Sequence, residues 1–186
     1  MTSQEFAPSG NVSEAFVANA RALLSEEYLP KIERCLEKLS NEQIWWRPNE
    51  QSNSIGNLIL HLCGNARQWI VCGLGDEADK RERQTEFDER GGIPREELLK
   101  LLKDTIADVD RVLAGFDVWQ LLELYEIQGT QSTALAAIFH VTEHFSMHTG
   151  QIILVTKILG NLDLVFYDFS SGKPTHTWHE PTGSEA

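Results

Sequence analysis

The sequence predicts an all-α protein built as a four-helix bundle. Four long stretches repeat apolar residues at intervals of three and four, the spacing of one helix face. No stretch has a convincing strand pattern, and 186 residues suit one domain that buries roughly 70% of its unfolded surface. Such helices pack as a bundle, with room for short irregular or strand-like connections. We place the domain at 13–170, between a flexible N-terminal tail at 1–12 and a mobile C-terminal tail at 171–186.

The first two helices follow from apolar periodicity and from the residues that flank it. The first begins after Ser13 and continues to Leu39 across Pro30, a residue that can kink a helix. The second begins after a Pro- and Asn-rich segment, with Ser54 or the residue before it as the cap, and it ends near Gly73. Both helices carry one continuous apolar face, as a bundle requires.

The segment at 75–93 separates the second helix from the third and has almost no apolar content. It exceeds the usual loop length, so we interpret it as a functional or a mobile loop. The third helix follows Pro94 and ends at Gly115.

The last third of the chain contains the fourth helix, which runs from about Ser132 to Leu159. Before it, residues 118–128 alternate weakly and predict a short strand or an irregular crossover. After it, an apolar segment is expected to pack back on the bundle through Val165, Phe166, Tyr167 and Phe169.

Composition excludes several classes of function. A net charge of -12 argues against nucleic acid as a partner, because phosphate binding needs clustered Lys and Arg. It also disfavours anionic membranes, and no apolar run approaches the ~18 residues of a membrane-spanning helix. The N-terminus lacks a secretory signal, so we expect a cytoplasmic protein. The 3 cysteines form no CxxC pair, which leaves nitrogen and oxygen as metal ligands.

Four of the 6 histidines lie in apolar stretches, where an unpaired imidazole is costly. His140, His144 and His148 are spaced by four in the fourth helix, and His61 lies in the second helix. Residues at i and i+4 on a helix lie close enough to share one metal ion. A metal site is the first hypothesis, although an HxxxH pair also occurs by chance on solvated helix faces.

Helical geometry selects three of these four histidines. At ~100° per residue, His148 lies at the edge of the apolar face of the fourth helix and His140 is the most solvent-facing. Residues i and i+8 are ~12 Å apart along the axis, so only adjacent histidines can share an ion. His61 lies at the core edge of the second helix. The predicted ligands are His61, His144 and His148, with His140 at the rim.

Two strings, NSIGNLILHLCGNARQWI and AIFHVTEHFSMHTGQI, closely resemble the DinB-like, or YfiT-like, superfamily of four-helix metalloproteins. The resemblance extends from about Trp45 to Tyr167. It implies one divalent metal ion held by three histidines, which correspond here to His61, His144 and His148. Characterised members of the superfamily include thiol S-transferases acting with bacillithiol, mycothiol or glutathione, and a maleylpyruvate isomerase.

Two other metal motifs do not fit the sequence. A zincin needs glutamate directly after its first histidine, whereas Phe145 follows His144. A ferritin-like di-iron site needs glutamate three residues before histidine, whereas Ser146 stands three residues after Glu143. One mononuclear ion is the better interpretation.

Three imidazoles on a divalent ion leave at least one position open, where bound water or a thiol becomes a nucleophile. We therefore expect a metal-dependent enzyme with Zn or Ni. It would be a thiol S-transferase that uses a low-molecular-weight thiol, or a metal-assisted hydrolase. The alternative is a non-catalytic metal-binding or interaction module. A small molecule and a second copy of the chain are the expected partners.

Several polar and aromatic residues are candidates for contact with substrate, although solvated or packing roles explain each of them more simply. The polar ones on the histidine faces are Asn57, Asn65, His140 and Gln151, of which the last three are our candidates for catalysis. Three arginines of the charged segment could clamp an anionic thiol: Arg81, Arg83 and Arg90. Two tryptophans, Trp45 and Trp46, could wall a pocket.

Overall fold

A computed structural model of the chain describes residues 11–75 and 77–178. The first long helix, residues 12–37, consists of α1 (Val12–Ala22), a π-helical segment (Leu23–Tyr28) and α2 (Leu29–Glu37). After the short α3 (Asn41–Trp45), the second long helix is α4 (Ile55–Ala66), continued by the π-helical segment Arg67–Cys72.

The second half of the chain begins with α5 (Arg83–Asp88) and the third long helix, α6 (Arg95–Ala114). A 3-10 turn (Val118–Gln120) and the strands β1 (Leu124–Ile127) and β2 (Thr130–Thr133) lead into the fourth long helix, α7 (Ala134–Gly160). Strands β3 (Tyr167–Asp168) and β4 (Thr175–His176) follow. The four long helices pack as a bundle, so the predicted fold class is confirmed.

Side-chain caps determine where the two histidine-bearing helices begin. Ser54 and Asn57 form a reciprocal capping box at the start of α4, in which each side chain accepts the backbone N–H of the other residue. At the start of α7 the Thr133 hydroxyl accepts the N–H of Ala136. Asn161 ends α7 in the left-handed region at φ 45°. These caps set the angular positions of the histidines on both helices.

The charged segment is more ordered than its composition predicts. Helix α5 lies within it and packs against α4, where the Asn57 amide donates to the carbonyls of Glu86 and Glu89 at 2.8 and 2.9 Å. Arg47 donates to the Phe87 carbonyl at 3.0 Å. Buried polar groups are stable when they are hydrogen-bonded, and here the partners come from distant parts of the chain. The segment is held by polar contacts that an apolar pattern does not reveal.

Two small hairpins complete the fold. Strands β1 and β2 pair antiparallel around Gln128 and Gly129, both at positive φ, so the strand-like connection predicted at 118–128 is present. Strand β4 pairs with β3, which gives a hairpin to residues 175–176 that the sequence assigns to a mobile tail. In the segment expected to pack on the bundle, Phe166 contacts the core while Phe169 is exposed.

Most of the predicted N-terminal tail and half of the predicted C-terminal tail lie outside the described residues. Within the described part, Asn11 caps α1 through a hydrogen bond from the Glu14 N–H, so the first helix starts slightly earlier than Ser13 suggests. Pro30 lies in the first turn of α2, directly after the π-helical segment, and the helix continues through it. Among the described residues, no helix combines the length and the apolar content needed to cross a bilayer.

Candidate metal centre

Three buried imidazoles meet between α4 and α7. His61 comes from α4, and His144 and His148 come from successive turns of α7; each residue is less than one-tenth exposed. The Nε2 atom of His144 lies 3.1 Å from Nε2 of His61 and 3.0 Å from Nε2 of His148. One ring nitrogen from each of the three lies within 4.8 Å of the other two. The structure thus brings together the three predicted ligands, and they could hold a metal ion.

In His61 and His148, the hydrogen bond made by Nδ1 determines whether Nε2, the nitrogen that faces His144, carries a proton or a lone pair. His61 Nδ1 lies 2.9 Å from Glu86 Oε2 and 3.2 Å from Arg81 Nη2; because the carboxylate is the nearer partner and only accepts hydrogen bonds, we assign the proton to Nδ1. His148 Nδ1 lies 2.7 Å from Gln151 Oε1 and donates to it. In the neutral form of each ring, Nε2 therefore carries a lone pair aimed at His144.

This arrangement fits a bound cation better than it fits histidines alone. Two inward lone pairs can share only one N–H from His144, whereas one divalent ion would accept electron pairs from all three Nε2 atoms. The remaining nitrogen of His144, Nδ1, is buried and has no hydrogen-bond partner among the described residues. The donor set is neutral nitrogen, which suits zinc, nickel and similar ions.

The surroundings of His144 and His148 favour the neutral form of both rings. Burial, and after it the neighbouring His148 and His61, lowers the pKa of His144 to about 3. Burial is also the main cause that lowers the pKa of His148, although its hydrogen bond to Gln151 opposes this effect. A neutral imidazole is the form that binds metal, so the two rings from α7 are in the charge state that a ligand needs at neutral pH.

Glu86 is the functional residue that sequence reasoning missed. Burial alone would raise the pKa of its carboxyl group, but hydrogen bonds from Arg81 and His61 outweigh burial and lower it. Arg81 donates to both carboxylate oxygens, at 2.7 and 2.9 Å, and its side chain is only 5% exposed. In the sequence, the one indication that this segment packs near the site was Phe87, the single aromatic residue of the charged segment. In the structure its ring centroid lies 4.8 Å from that of His61.

Gly64 explains how Glu86 comes so close to α4. A Cβ atom at this position would lie 2.0 Å from Glu86 Oε1 and 2.9 Å from Arg81 Nε. Any other residue would displace the ion pair, and with it the hydrogen bond to His61. His61 and Gly64 thus lie one turn apart in α4: the first is a predicted ligand, and the second leaves space for the carboxylate that orients it.

His140 lies beside the cluster but does not join it. Its Nε2 accepts a hydrogen bond from the Asn65 amide at 3.1 Å, and its ring packs on Trp69 at 4.4 Å. The ring also stacks on His144, with centroids 5.4 Å apart. Asn65 Oδ1 and Trp69 Nε1 are buried without hydrogen-bond partners in the described part of the chain. His140 and Asn65 thus occupy the predicted rim position next to His144.

Other predicted contacts have structural roles. Asn57 belongs to the α4 capping box and holds α5, and Arg81 is committed to Glu86. Arg83 lies over the Phe87 ring. The Trp45 ring packs against Gly56, where a Cβ atom would lie 2.7 Å from it, and its indole N–H donates to the Ile93 carbonyl. For Trp45 the packing interpretation is therefore the correct one.

The cysteines do not provide a nucleophile. Burial raises the pKa of Cys35 to about 11 and that of Cys63 to about 12, and it also raises the pKa of Cys72. All three thiols stay protonated near neutral pH. A reactive thiol at the centre would have to come from another molecule.

A cavity of about 660 Å³ lies between α4 and the charged segment. Arg81 and Glu86 line it, together with Gly64 and Cys63, but none of the three clustered histidines does. This cavity and the imidazole cluster are therefore different places that share the Arg81–Glu86 ion pair. The metal centre is inferred from the imidazole geometry and not from this cavity.

Comparison with known proteins places the chain in a family. The family model described as Protein of unknown function (DUF1572) matches residues 11–172. The chain belongs to this family. No curated protein matches it. A conserved protein from Enterococcus faecalis has a similar structure, with a TM-score of 0.66 at 14% identity over 83% of this chain and 100% of that chain.

A second solved structure with a similar fold is described as DinB-like. A DinB-like protein from Bacillus cereus is similar with a TM-score of 0.60 at 14% identity, over 79% of this chain and 92% of that one. At such identity the likeness shows the fold alone. The DinB-like fold, which the histidine-bearing strings predicted, is thereby confirmed.

Proposed function

We propose that the protein binds one divalent metal ion, zinc or nickel, through His61, His144 and His148 and uses it as a small-molecule thiol S-transferase. The observation that carries the proposal is the convergence of three buried imidazoles, two of which are oriented by hydrogen bonds to Glu86 and Gln151. A structural zinc site is closed by four protein ligands. Three ligands leave room for a further ligand, as catalytic sites do.

Thiol transfer is favoured over metal-assisted hydrolysis by the carboxylates of the site. Hydrolysis commonly needs a general base within hydrogen-bond reach of the attacking water. Glu86 is occupied by Arg81 and His61, and Glu143 is exposed on the other side of α7. A divalent ion deprotonates a coordinated thiol without such a base. This chemistry needs only the ligands that the chain provides.

The transfer reaction needs only two reactants, the substrate thiol and the electrophile. The substrate thiol loses its proton to solvent, its sulfur forms a bond to an electrophilic carbon, and the leaving group departs with the electron pair of the broken bond. We assign His140 and Asn65 to contact with the substrate, because they border His144 and Asn65 Oδ1 is an unpaired buried acceptor. Gln151 orients His148 instead.

The metal part of the proposal is tested by affinity. Zn²⁺ and Ni²⁺ are titrated in competition with a chromophoric chelator into the parent and into His61→Ala, His144→Ala and His148→Ala, with His176→Ala as a histidine control outside the cluster. We expect each cluster variant to lose more affinity than the ~10- to 100-fold typical of residues that support a ligand. Parent affinity in all three cluster variants would disprove the site.

The catalytic part needs a separate assay. Glutathione, bacillithiol and mycothiol are offered with an aryl halide and an epoxide, before chelation, after chelation and after return of Zn²⁺ or Ni²⁺. We expect conjugation that chelator abolishes and metal restores. Full metal binding without turnover on any pair would instead support a non-catalytic metal-binding module.

A further inference from the structure

Helix α7 carries apolar side chains on its solvent side as well as on its core side. Five large residues are 39 to 62% exposed: Leu135, Phe139, Met147, Leu154 and Ile158. At ~100° per residue they fall within one arc, opposite the arc that contains the buried Val141, Phe145 and Ile152. Glu143, Gly150 and Lys157 lie on the same exposed arc. We call this surface the outer face of α7.

A helix that is apolar on both sides is usually buried on both sides. The outer face runs over ~35 Å of helix, from Leu135 to Ile158. Exposed apolar residues continue before the helix: Trp119, Leu122 and Leu124 are 82, 76 and 65% exposed, and the Leu135 N–H donates to the Leu121 carbonyl. Exposed apolar side chains that cluster in this way mark an interaction site.

The charges on the outer face indicate which partner it fits. Glu143 and Lys157 stand seven residues before and seven residues after Gly150, so a second α7 laid antiparallel across Gly150 places each glutamate opposite the lysine of the other copy. Met147 and Leu154, three residues before and four after, then face one another across the same axis. A two-fold contact repeats each pair twice. The face is complementary to itself in charge and in apolar content.

Gly150 provides the steric condition for this contact. No atom lies within 4 Å of a Cβ placed there, so the glycine does not serve packing inside the described part of the chain. Glycine in a helix interior destabilises the helix relative to alanine. Small residues at helix crossings let two backbones approach closely. The glycine therefore stands where a second helix would cross.

We propose that the protein forms a homodimer through the outer face of α7, with the two helices antiparallel about Gly150. Glu143 pairs with the lysine at position 157 of the other copy, and Met147 packs against the leucine at position 154. The contact uses none of the three imidazoles. It is therefore independent of the proposed metal chemistry.

The first test measures mass against concentration by sedimentation velocity on the full chain. We expect a dimer that dissociates on dilution, and a monomer for Leu154→Glu under the same conditions. Leu101→Glu is the matched control, because Leu101 is a half-exposed leucine of another bundle helix, α6. A parent protein that stays monomeric at every concentration overturns the proposal, as does a dimer that Leu154→Glu leaves intact.

Charge reversal tests the register. Glu143→Lys and Lys157→Glu each place like charges opposite one another in the dimer, and each should weaken dimerisation about 10-fold or more. The double variant Glu143→Lys/Lys157→Glu restores opposite charges and should regain parent dimerisation. Within one helix the two positions are ~21 Å apart, so rescue reports a contact between copies. A double variant no better than the weaker single one would disprove the antiparallel register.

Discussion

Helix α7 and the charged segment at 77–93 serve the same centre in different ways. Helix α7 provides His144 and His148, and the helical repeat alone places both rings on one face of the helix, without contacts from other parts of the chain. The charged segment provides Glu86, which acts on His61 only because α5 is held against α4 by Asn57 and Arg47. One contribution is local, and the other depends on tertiary contacts.

The two halves of the centre should therefore respond differently to mutation. A change on α7 removes or redirects a ligand. A change in the charged segment leaves all three ligands in place but releases the ring of His61, which without Glu86 is free to rotate and to exchange tautomers. Support of this kind typically alters metal affinity by ~10- to 100-fold. A loss of metal affinity on that scale indicates lost support of a ligand, and a larger loss indicates that a ligand itself is removed.

The largest effect is expected for Glu86→Gln. The amide keeps the shape of the side chain but loses the charge that pairs with Arg81 and fixes the tautomer of His61, so Zn²⁺ and Ni²⁺ affinity should fall ~10- to 100-fold. Competition titration measures the loss. At saturating Co²⁺ the visible absorption bands should also shift, because the geometry around His61 changes.

The matched control for Glu86→Gln is Glu82→Gln, an exposed residue of the same segment. It should bind metal as the parent does. Unchanged affinity in Glu86→Gln, with the protein folded by circular dichroism, would mean that α5 packs beside the centre without supporting it, and the comparison with α7 would fail.

An intermediate effect is expected for Gly64→Ala. In an ordinary helix this change stabilises by roughly 0.5–1 kcal/mol, but here the new methyl group meets Glu86 Oε1 at 2.0 Å. Overpacking of this kind costs about 1–3 kcal/mol, so the free energy of unfolding in urea should fall. Metal affinity should fall by about 10-fold, less than in Glu86→Gln, because the carboxylate is displaced and not removed.

Gly115→Ala is the control for this prediction. A Cβ there meets nothing closer than 3.8 Å, and the change should stay within about 0.5 kcal/mol. A rise in stability for Gly64→Ala would show that Glu86 and Arg81 move aside at no cost, so that the ion pair does not hold His61 in place.

The sequence predicts the part of the centre that is local and misses the part that is not. The spacing of His144 and His148 and the position of His61 beside an apolar arc are properties of single helices, and they suffice to select the three residues that the structure brings together. Glu86 stands 25 residues from His61, inside a segment whose composition is that of a solvated loop. Its burial depends on Asn57, Arg81 and the space at Gly64, and no local pattern encodes such contacts.

The fold divides in the same way. The four long helices and the strand-like connection at 118–128 follow from period and turn residues. Helix α5 and strand β4 do not, since α5 has six residues and β4 has two, and each persists through contacts with other elements. His176 of β4 stacks on Trp178 and contacts Tyr167 with the two rings tilted at 46°. Short elements of this kind become visible only when their partners are in place.

The smallest effect is expected for Gln151→Ala, which removes the acceptor for His148 Nδ1. Gln151 is exposed whereas Glu86 is buried, so water can replace the lost acceptor at little cost. Metal affinity should fall less than 10-fold, below the range for buried support, and Ser146→Ala should have no effect. The same titration as for Glu86→Gln measures both variants; Ser146 is an exposed residue of the same helix, ~140° around the axis from Gln151. If Gln151→Ala lost as much affinity as Glu86→Gln, burial of the supporting group would not explain the difference between the two halves, and the hydrogen bond to each ligand would be the decisive feature.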